Sequence, residues 1–149
     1  MNLTDIILQE FEDVSSTQDV AIERLNDGSL HIPFAISAKS QSKGRGRYEN
    51  RTWDSPKGNI AVTICLNVAA DKDPTQLCYL AANAICQTLS TFAPNQNISL
   101  KWVNDVLINK KKIAGILIQK IKSFALVGIG VNLISSEEIK ELGATSLED

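Results

Sequence analysis

The sequence predicts one domain of the α/β or α+β class, built on a mixed or largely antiparallel sheet. Three observations lead there. Short apolar runs rich in β-branched residues recur at 32–38, 59–68, 98–102 and 124–133, too short for helices. The segments 106–109 and 112–121 flank Asn109-Lys110-Lys111 as the two arms of a hairpin would. Helical spacing appears in few places and does not alternate regularly with the strands, which argues against a doubly wound fold. A chain of 149 residues holds enough material for one core and too little for two.

Taken in order, Ser15-Ser16-Thr17 stands before the apolar-periodic run 19–25, and Asn26-Asp27-Gly28 follows it. Hydroxyls at the start and glycine at the end predict a helix with an N-cap and a left-handed C-cap. The strand at 32–38 leads into a polar, glycine-rich segment, 39–58, long enough to be functional rather than a simple turn. After the strand at 59–68, Asp73-Pro74 opens a helix over 75–92, with Leu77, Leu80, Ala81, Ala84, Ile85 and Leu89 at helical spacing. Pro94 to Asn97 is its closing turn. The strand at 98–102, the hairpin and the strand at 124–133 follow, then a short helix at 136–142.

Composition narrows the function. Net charge is -2 with 44% hydrophobic and 21% charged residues, which argues against disorder, a generally basic nucleic-acid binder and a polyacidic tail. No apolar run is long enough to span a bilayer, and the acidic stretch 1–13 lacks a signal-peptide pattern. Cys65, Cys78 and Cys86 form an odd set without CxxC spacing. They predict buried free thiols in a reducing, cytoplasmic setting. His31 is the one histidine, so a zinc site or a Ser-His-Asp triad lacks material.

Four segments carry chemistry. From Lys39 to Lys57 six basic residues (Lys39, Lys43, Arg45, Arg47, Arg51, Lys57) stand against Glu49 and Asp54. Arginines beside Gly44 and Gly46 suit an anion, because glycine lets backbone N–H groups approach and arginine adds paired charged hydrogen bonds. A solvated basic loop is the plainer alternative. Neither a P-loop nor a complete dinucleotide fingerprint is present. Lys101-Trp102-Val103-Asn104-Asp105 offers a cation for phosphate and a carboxylate for a metal, against the alternative of an ordinary turn. In Lys110-Lys111-Lys112-Ile113-Ala114-Gly115-Ile116-Leu117, Lys112 begins the apolar strand and is placed to face a cleft. Gly115 marks a close approach. In Val127-Gly128-Ile129-Gly130-Val131-Asn132, two glycines in an apolar strand call for something packed on them, and Asn132 needs a partner or a ligand.

Together with Ser16-Thr17, Gln41 and Arg51-x-Trp53-x-Ser55-Pro56-x-Gly58, these segments resemble biotin protein ligase in order and spacing, from about Ser15 to Ala144-Thr145-Ser146-Leu147. The resemblance implies the biotin–lipoate ligase catalytic fold, related to the core of class II aminoacyl-tRNA synthetases. It implies ATP and Mg²⁺ as cofactors. It also implies two steps: biotin and ATP give biotinyl-5′-AMP, and a lysine of the biotin carboxyl carrier protein of acetyl-CoA carboxylase then takes the biotin. Carried over by position, Ser16, Thr17 and Gln41 contact the ureido ring. Gly44, Arg45 and Arg47 lie in the loop that closes over the adenylate, with Arg47 counted as catalytic beside Lys112. Lys112 contacts the carboxylate and α-phosphate, and Trp53 packs on adenine. Lys101 and Asn104 serve the nucleotide, Asp105 serves Mg²⁺, and Asn132 touches adenine. Gly115, Leu117, Gly128 and Gly130 line the biotin tail and ring.

Three local departures stand out: Val103 where the family usually has proline, Tyr48-Glu49-Asn50 where it has Arg-Gly, and a short stretch between Gln119 and Val127. The whole chain reads as the catalytic domain, residues 1–149, without the family's N-terminal DNA-binding domain or C-terminal β-barrel. Specific DNA binding and membrane association are therefore not expected, and the family's sheet-edge dimers make a homodimer one expectation. The competing functions are a lipoate or octanoate ligase of the same superfamily, a biotin-binding relative with weak or no ligase activity, and a non-enzymatic anion- or nucleic-acid-binding module built on the basic loop.

Overall fold

The computed structural model describes residues 6–48, 52, 53, 55–69 and 71–149. Glu49, Asn50, Arg51 and Asp54 of the basic segment lie outside the described residues. The elements are β1 (Ile7–Val14), α1 (Thr17–Asp27), β2 (Phe34–Gln41), β3 (Ile60–Asn67), α2 (Gln76–Phe92), β4 (Ile98–Lys101), β5 (Asp105–Ile108), β6 (Lys111–Ile121), β7 (Phe124–Val131) and α3 (Glu137–Glu141). The strands form one mixed sheet in the order β1-β2-β3-β7-β6-β5-β4. β1 pairs with β2 in parallel, across the α1 connection, and the other pairs are antiparallel. The mixed α+β class expected from the sequence is the class observed.

Most expected elements are present within a residue or two. Asn109 and Lys110 both take positive φ at the β5–β6 turn, the backbone a two-residue hairpin turn requires. Gly28 closes α1 in the left-handed region at φ 67°. One strand was not expected, and one expectation needs correction. β1 carries Gln9, Glu10, Glu12 and Asp13 and is exposed along most of its length, so its pattern resembles a polar tail. It is a strand because β2 offers it an open edge. Ser16 occupies the N-cap position of α1 but makes no capping bond with its side chain. The hydroxyls there are directed elsewhere.

Each face of the sheet carries a helix. On one, Ala21 of α1 packs with Phe34, Ile36, Cys65 and Leu126, all fully buried. Of these, Phe34, Ile36 and Leu126 each contribute roughly 1.5–3 kcal/mol by leaving water. On the other face, Cys78, Ala82, Ile85 and Leu89 of α2 pack on Val106, Ile108, Ile113, Ala114, Ile116, Val127 and Val131. Odd residues of β3 and even residues of β7 therefore face α1, and their neighbours face α2, as strand alternation requires. Among the described residues no helix is long and apolar enough to cross a membrane.

Candidate functional site

The α1 face of the sheet has a floor of small residues. Strand register aligns Ala38 with Ala61, Ala61 with Gly130, Gly130 with Gly115, and Gly115 with Asp105. The next row on the same face aligns Ile36, Thr63, Gly128 and Leu117. Four successive residues without a large side chain leave backbone open to close contact.

Lys112 reaches this floor through a register shift. Leu107 faces Lys112 while Val106 faces Ala114, so Ile113 is the extra residue of a β-bulge. Plain alternation would put Lys112 and Gly115 on opposite faces. With the bulge they share one, and a Cβ on Gly115 would lie 3.3 Å from the Lys112 ammonium. Lys112 Nζ pairs with Asp105 Oδ1 at 2.6 Å and lies 5.2 Å from the centre of the Trp53 ring.

Trp53 accounts for the second glycine. A Cβ on Gly130 would lie 2.2 Å from Trp53 Nε1, and one on Gly115 would lie 3.0 Å from Trp53 Cζ3. The indole thus lies flat on the floor beside Lys112. Its buried N–H finds no acceptor among the described residues, an unusual state for a tryptophan. The backbone behind it is fixed: Trp53 N donates to Gly44 O at 2.8 Å and Gln41 Nε2 donates to Trp53 O at 2.9 Å. A Cβ on Gly44 would sit 1.8 Å from that carbonyl oxygen. Bridges from Gln41 to Ser55 and from Arg45 to Thr52 fold the long polar segment back on itself.

At the other end of the floor lies a buried polar cage. Gln41 Oε1 accepts from Thr17 N at 2.9 Å and from Thr17 Oγ1 at 3.1 Å. Thr17 Oγ1 meets Thr63 Oγ1 at 3.0 Å, and Thr63 Oγ1 donates to Gln18 Oε1 at 3.1 Å. Gln18 Nε2 donates to Gln119 Oε1 at 3.4 Å. Ser16 Oγ is buried beside them without a partner among the described residues. Of the hydroxyls expected as helix caps, that of Thr17 therefore serves the cage instead. Gly128 is the third close approach, since a Cβ there would lie 2.7 Å from Gln18 Oε1.

The remaining expected residues divide by environment. Arg45 is paired with Asp19. Arg47 is exposed, its guanidinium 5.7 Å from the Tyr48 ring centre. Burial raises the Cys78 thiol above its ordinary pKa, while Arg47 lowers it and Asp105 raises it. Arg47 and Asp105 thus both act on the start of α2. Lys101 is exposed at the end of β4. Lys101, Trp102, Val103 and Asp105 join Tyr79, Ala82 and Leu100 around a hollow of about 190 Å³. Asn104 and Asn132 have structural partners: Asn104 Nδ2 donates to Ile116 O at 2.9 Å and Asn132 Nδ2 to Thr145 O at 3.1 Å. Leu117 lies in the floor row beside Gly128. His31 is exposed, and no group of three or more His, Cys, Asp or Glu suited to a metal occurs among the described residues.

Gln18, Thr63, Gln119 and Asp19 join the site without having been marked by any sequence motif. A glutamine directly after Ser-Thr, and a threonine at an inward position of an apolar strand, were the available signals.

Known proteins resemble this arrangement. Residues 10–133 match the model of the biotin/lipoate A/B protein ligase family. The bifunctional ligase/repressor BirA of Bacillus subtilis (strain 168) is 36% identical over 148 residues, covering 90% of this chain and 44% of its own length. The biotin–[acetyl-CoA-carboxylase] ligase of Paracoccus denitrificans is 38% identical over 119 residues, covering 74% and 49%. The chain thus spans under half the length of these two relatives. The biotin protein ligase of Aquifex aeolicus, solved in complex with biotin and ATP, superposes with a TM-score of 0.79 at 34% identity, over 95% of this chain and 59% of that one.

Proposed function

The chain belongs to the biotin/lipoate A/B protein ligase family, and from that premise we propose that it is an ATP-dependent biotin protein ligase, or its catalytic core. The observation that carries this reading is one glycine-paved floor with two unlike ends: a buried polar cage around Thr17, Gln41 and Thr63, and an ammonium beside an indole at Lys112 and Trp53. Gly128 and Gly130 are two residues apart, about 7 Å along a strand. With the Trp53 indole swung off Gly130 and Gly115, a polar ring on the cage places a short acyl chain along the floor and its carboxylate at Lys112.

In the first step a biotin carboxylate oxygen bonds to the α-phosphorus of ATP. The bond from that phosphorus to pyrophosphate breaks, and pyrophosphate leaves with the electron pair. In the second step the neutral amine of a carrier lysine attacks the acyl carbon, AMP leaves, and the amine proton is lost. Both substrates of the first step are anions, so a cation fixed between them lowers their repulsion before the bond forms. Lys112 supplies that cation, and Asp105 holds it in place. Arg47 and the folded-back loop exclude water from the mixed anhydride. Among the described residues Asp105 belongs to no group of three or more candidate metal ligands, so Mg²⁺ would be held by the ATP phosphates and water with Asp105 as a protein carboxylate, and would offset the phosphate charge.

The acceptor in this reading is the carboxyl carrier domain of acetyl-CoA carboxylase, the compartment is the cytoplasm, and copies pair through an exposed sheet edge. The test is incubation with ATP, Mg²⁺ and labelled biotin, followed by detection of the acyl-adenylate and then of a labelled carrier fragment. Activation of lipoate or octanoate in place of biotin would reassign the substrate within the family.

A further inference from the structure

The polar cage has more contacts than hydrogens to fill them. Thr17 Oγ1 touches Gln41 Oε1 and Thr63 Oγ1, and Thr63 Oγ1 also touches Gln18 Oε1, at 3.1, 3.0 and 3.1 Å. Two hydroxyl hydrogens serve these three contacts. If Thr17 donates to Gln41 and Thr63 to Gln18, the hydroxyl–hydroxyl contact holds no hydrogen. If Thr63 donates to Thr17, Gln18 Oε1 loses its donor. Turning the Gln18 carboxamide end for end would present Nε2 to Thr63 and fill the gap. The orientation of Gln18 therefore decides whether the cage offers a spare acceptor.

Gln18 is 3% exposed, and the absence of a side chain at Gly128 leaves room for its oxygen. Buried acceptors without hydrogens are costly. Ser16 Oγ, 1% exposed and without a partner among the described residues, is an independent sign of a missing polar group. A ring carrying N–H and carbonyl groups supplies both deficits. A dithiolane or alkyl end supplies neither.

Resting on the function proposed above, we propose that Gln18 is a specificity-determining residue: with Thr63, its carboxamide oxygen accepts a ring N–H of the substrate head, selecting a cyclic urea over an apolar head on the same acyl chain.

The experiment measures dissociation constants for biotin, for biotin methylated on a ring nitrogen, and for lipoate, on the wild type and on Gln18→Met. The variant keeps side-chain length and loses both polar atoms. The expected result is a loss of biotin affinity of about tenfold or more, as for a site that leaves a buried polar group unpaired, with lipoate unchanged or tighter. The penalty for methylating the ring nitrogen should shrink in the variant, which a merely structural glutamine would not produce. Should Gln18→Met fail to melt cooperatively, Thr63→Val is read for the same change in penalty. Unchanged biotin affinity in a folded variant, or an equal methylation penalty in both proteins, overturns the assignment of Gln18. A wild type that binds no biotin overturns the proposed function itself.

Discussion

Lys112 concentrates the chemistry in one side chain. It is partly exposed, pairs with Asp105 and lies beside the Trp53 ring. Its apolar neighbours Ile113 and Ala114 carry the packing. Lys112→Ala is therefore expected to abolish biotin-dependent pyrophosphate exchange while leaving the melting temperature within a few degrees of wild type. Exchange that persists would remove Lys112 from the mechanism. Arg47 is exposed and touches its own neighbour Tyr48, so Arg47→Gly should leave the fold intact. Its expected effect is faster escape of the adenylate, read as more random labelling of bystander lysines. The thiols respond to pH by burial. Desolvation disfavours the thiolate and pushes Cys65 up to about 11. An alkylating reagent at pH 8 should modify the half-buried Cys86 first and leave fully buried Cys65 intact until the chain unfolds. Because the folded pKa is the higher one, the contribution of Cys65 to stability is present below pH 9 and is lost as pH rises towards 11.

At the scale of elements, the glycines separate two kinds of close approach. At Gly130 the intruding group is the indole of Trp53, the end of a side chain that can swing away. At Gly44 it is the carbonyl oxygen of Trp53, part of the backbone. Gly130→Ala should therefore expel the indole and leave the loop seated: a shift in tryptophan emission, without new protease cleavage between β2 and β3. Gly44→Ala should displace the loop itself and open that segment to protease. If both variants gave the same protease pattern, the distinction would fail. The bulge at Ile113 belongs to this scale too, because a single extra residue moves Lys112 onto the α1 face.

Across the whole molecule, the sheet separates the site from an apolar trough of about 600 Å³ on the α2 face. Ile64, Leu66, Leu80, Phe92, Ile129 and Leu133 are among its lining residues. Leu80 is 66% exposed and Phe92 71%, large apolar side chains that attract hydrophobic dye. Phe92→Ser should lower dye fluorescence and leave the biotin dissociation constant within about twofold of wild type, since distant sites add independently. A matching loss of biotin affinity would mean that the two faces are coupled.

Chain order already determined the mixed sheet, the α2 helix, the β5–β6 hairpin and the family resemblance, because hydrophobic period, turn residues and short motifs are local signals. It also marked Gly115, Gly128 and Gly130 as places of close approach. Only the tertiary structure decided what approaches them: the Trp53 indole at two and the Gln18 carboxamide at the third. It alone made β1 a strand, since an edge strand of charged residues becomes one only when β2 lies beside it. The partners of Arg45, Asn104 and Asn132 also come from distant segments. Periodicity records which way a residue faces, whereas a partner a hundred positions away, as Gln119 is from Gln18, depends on strand order and register that no local window contains.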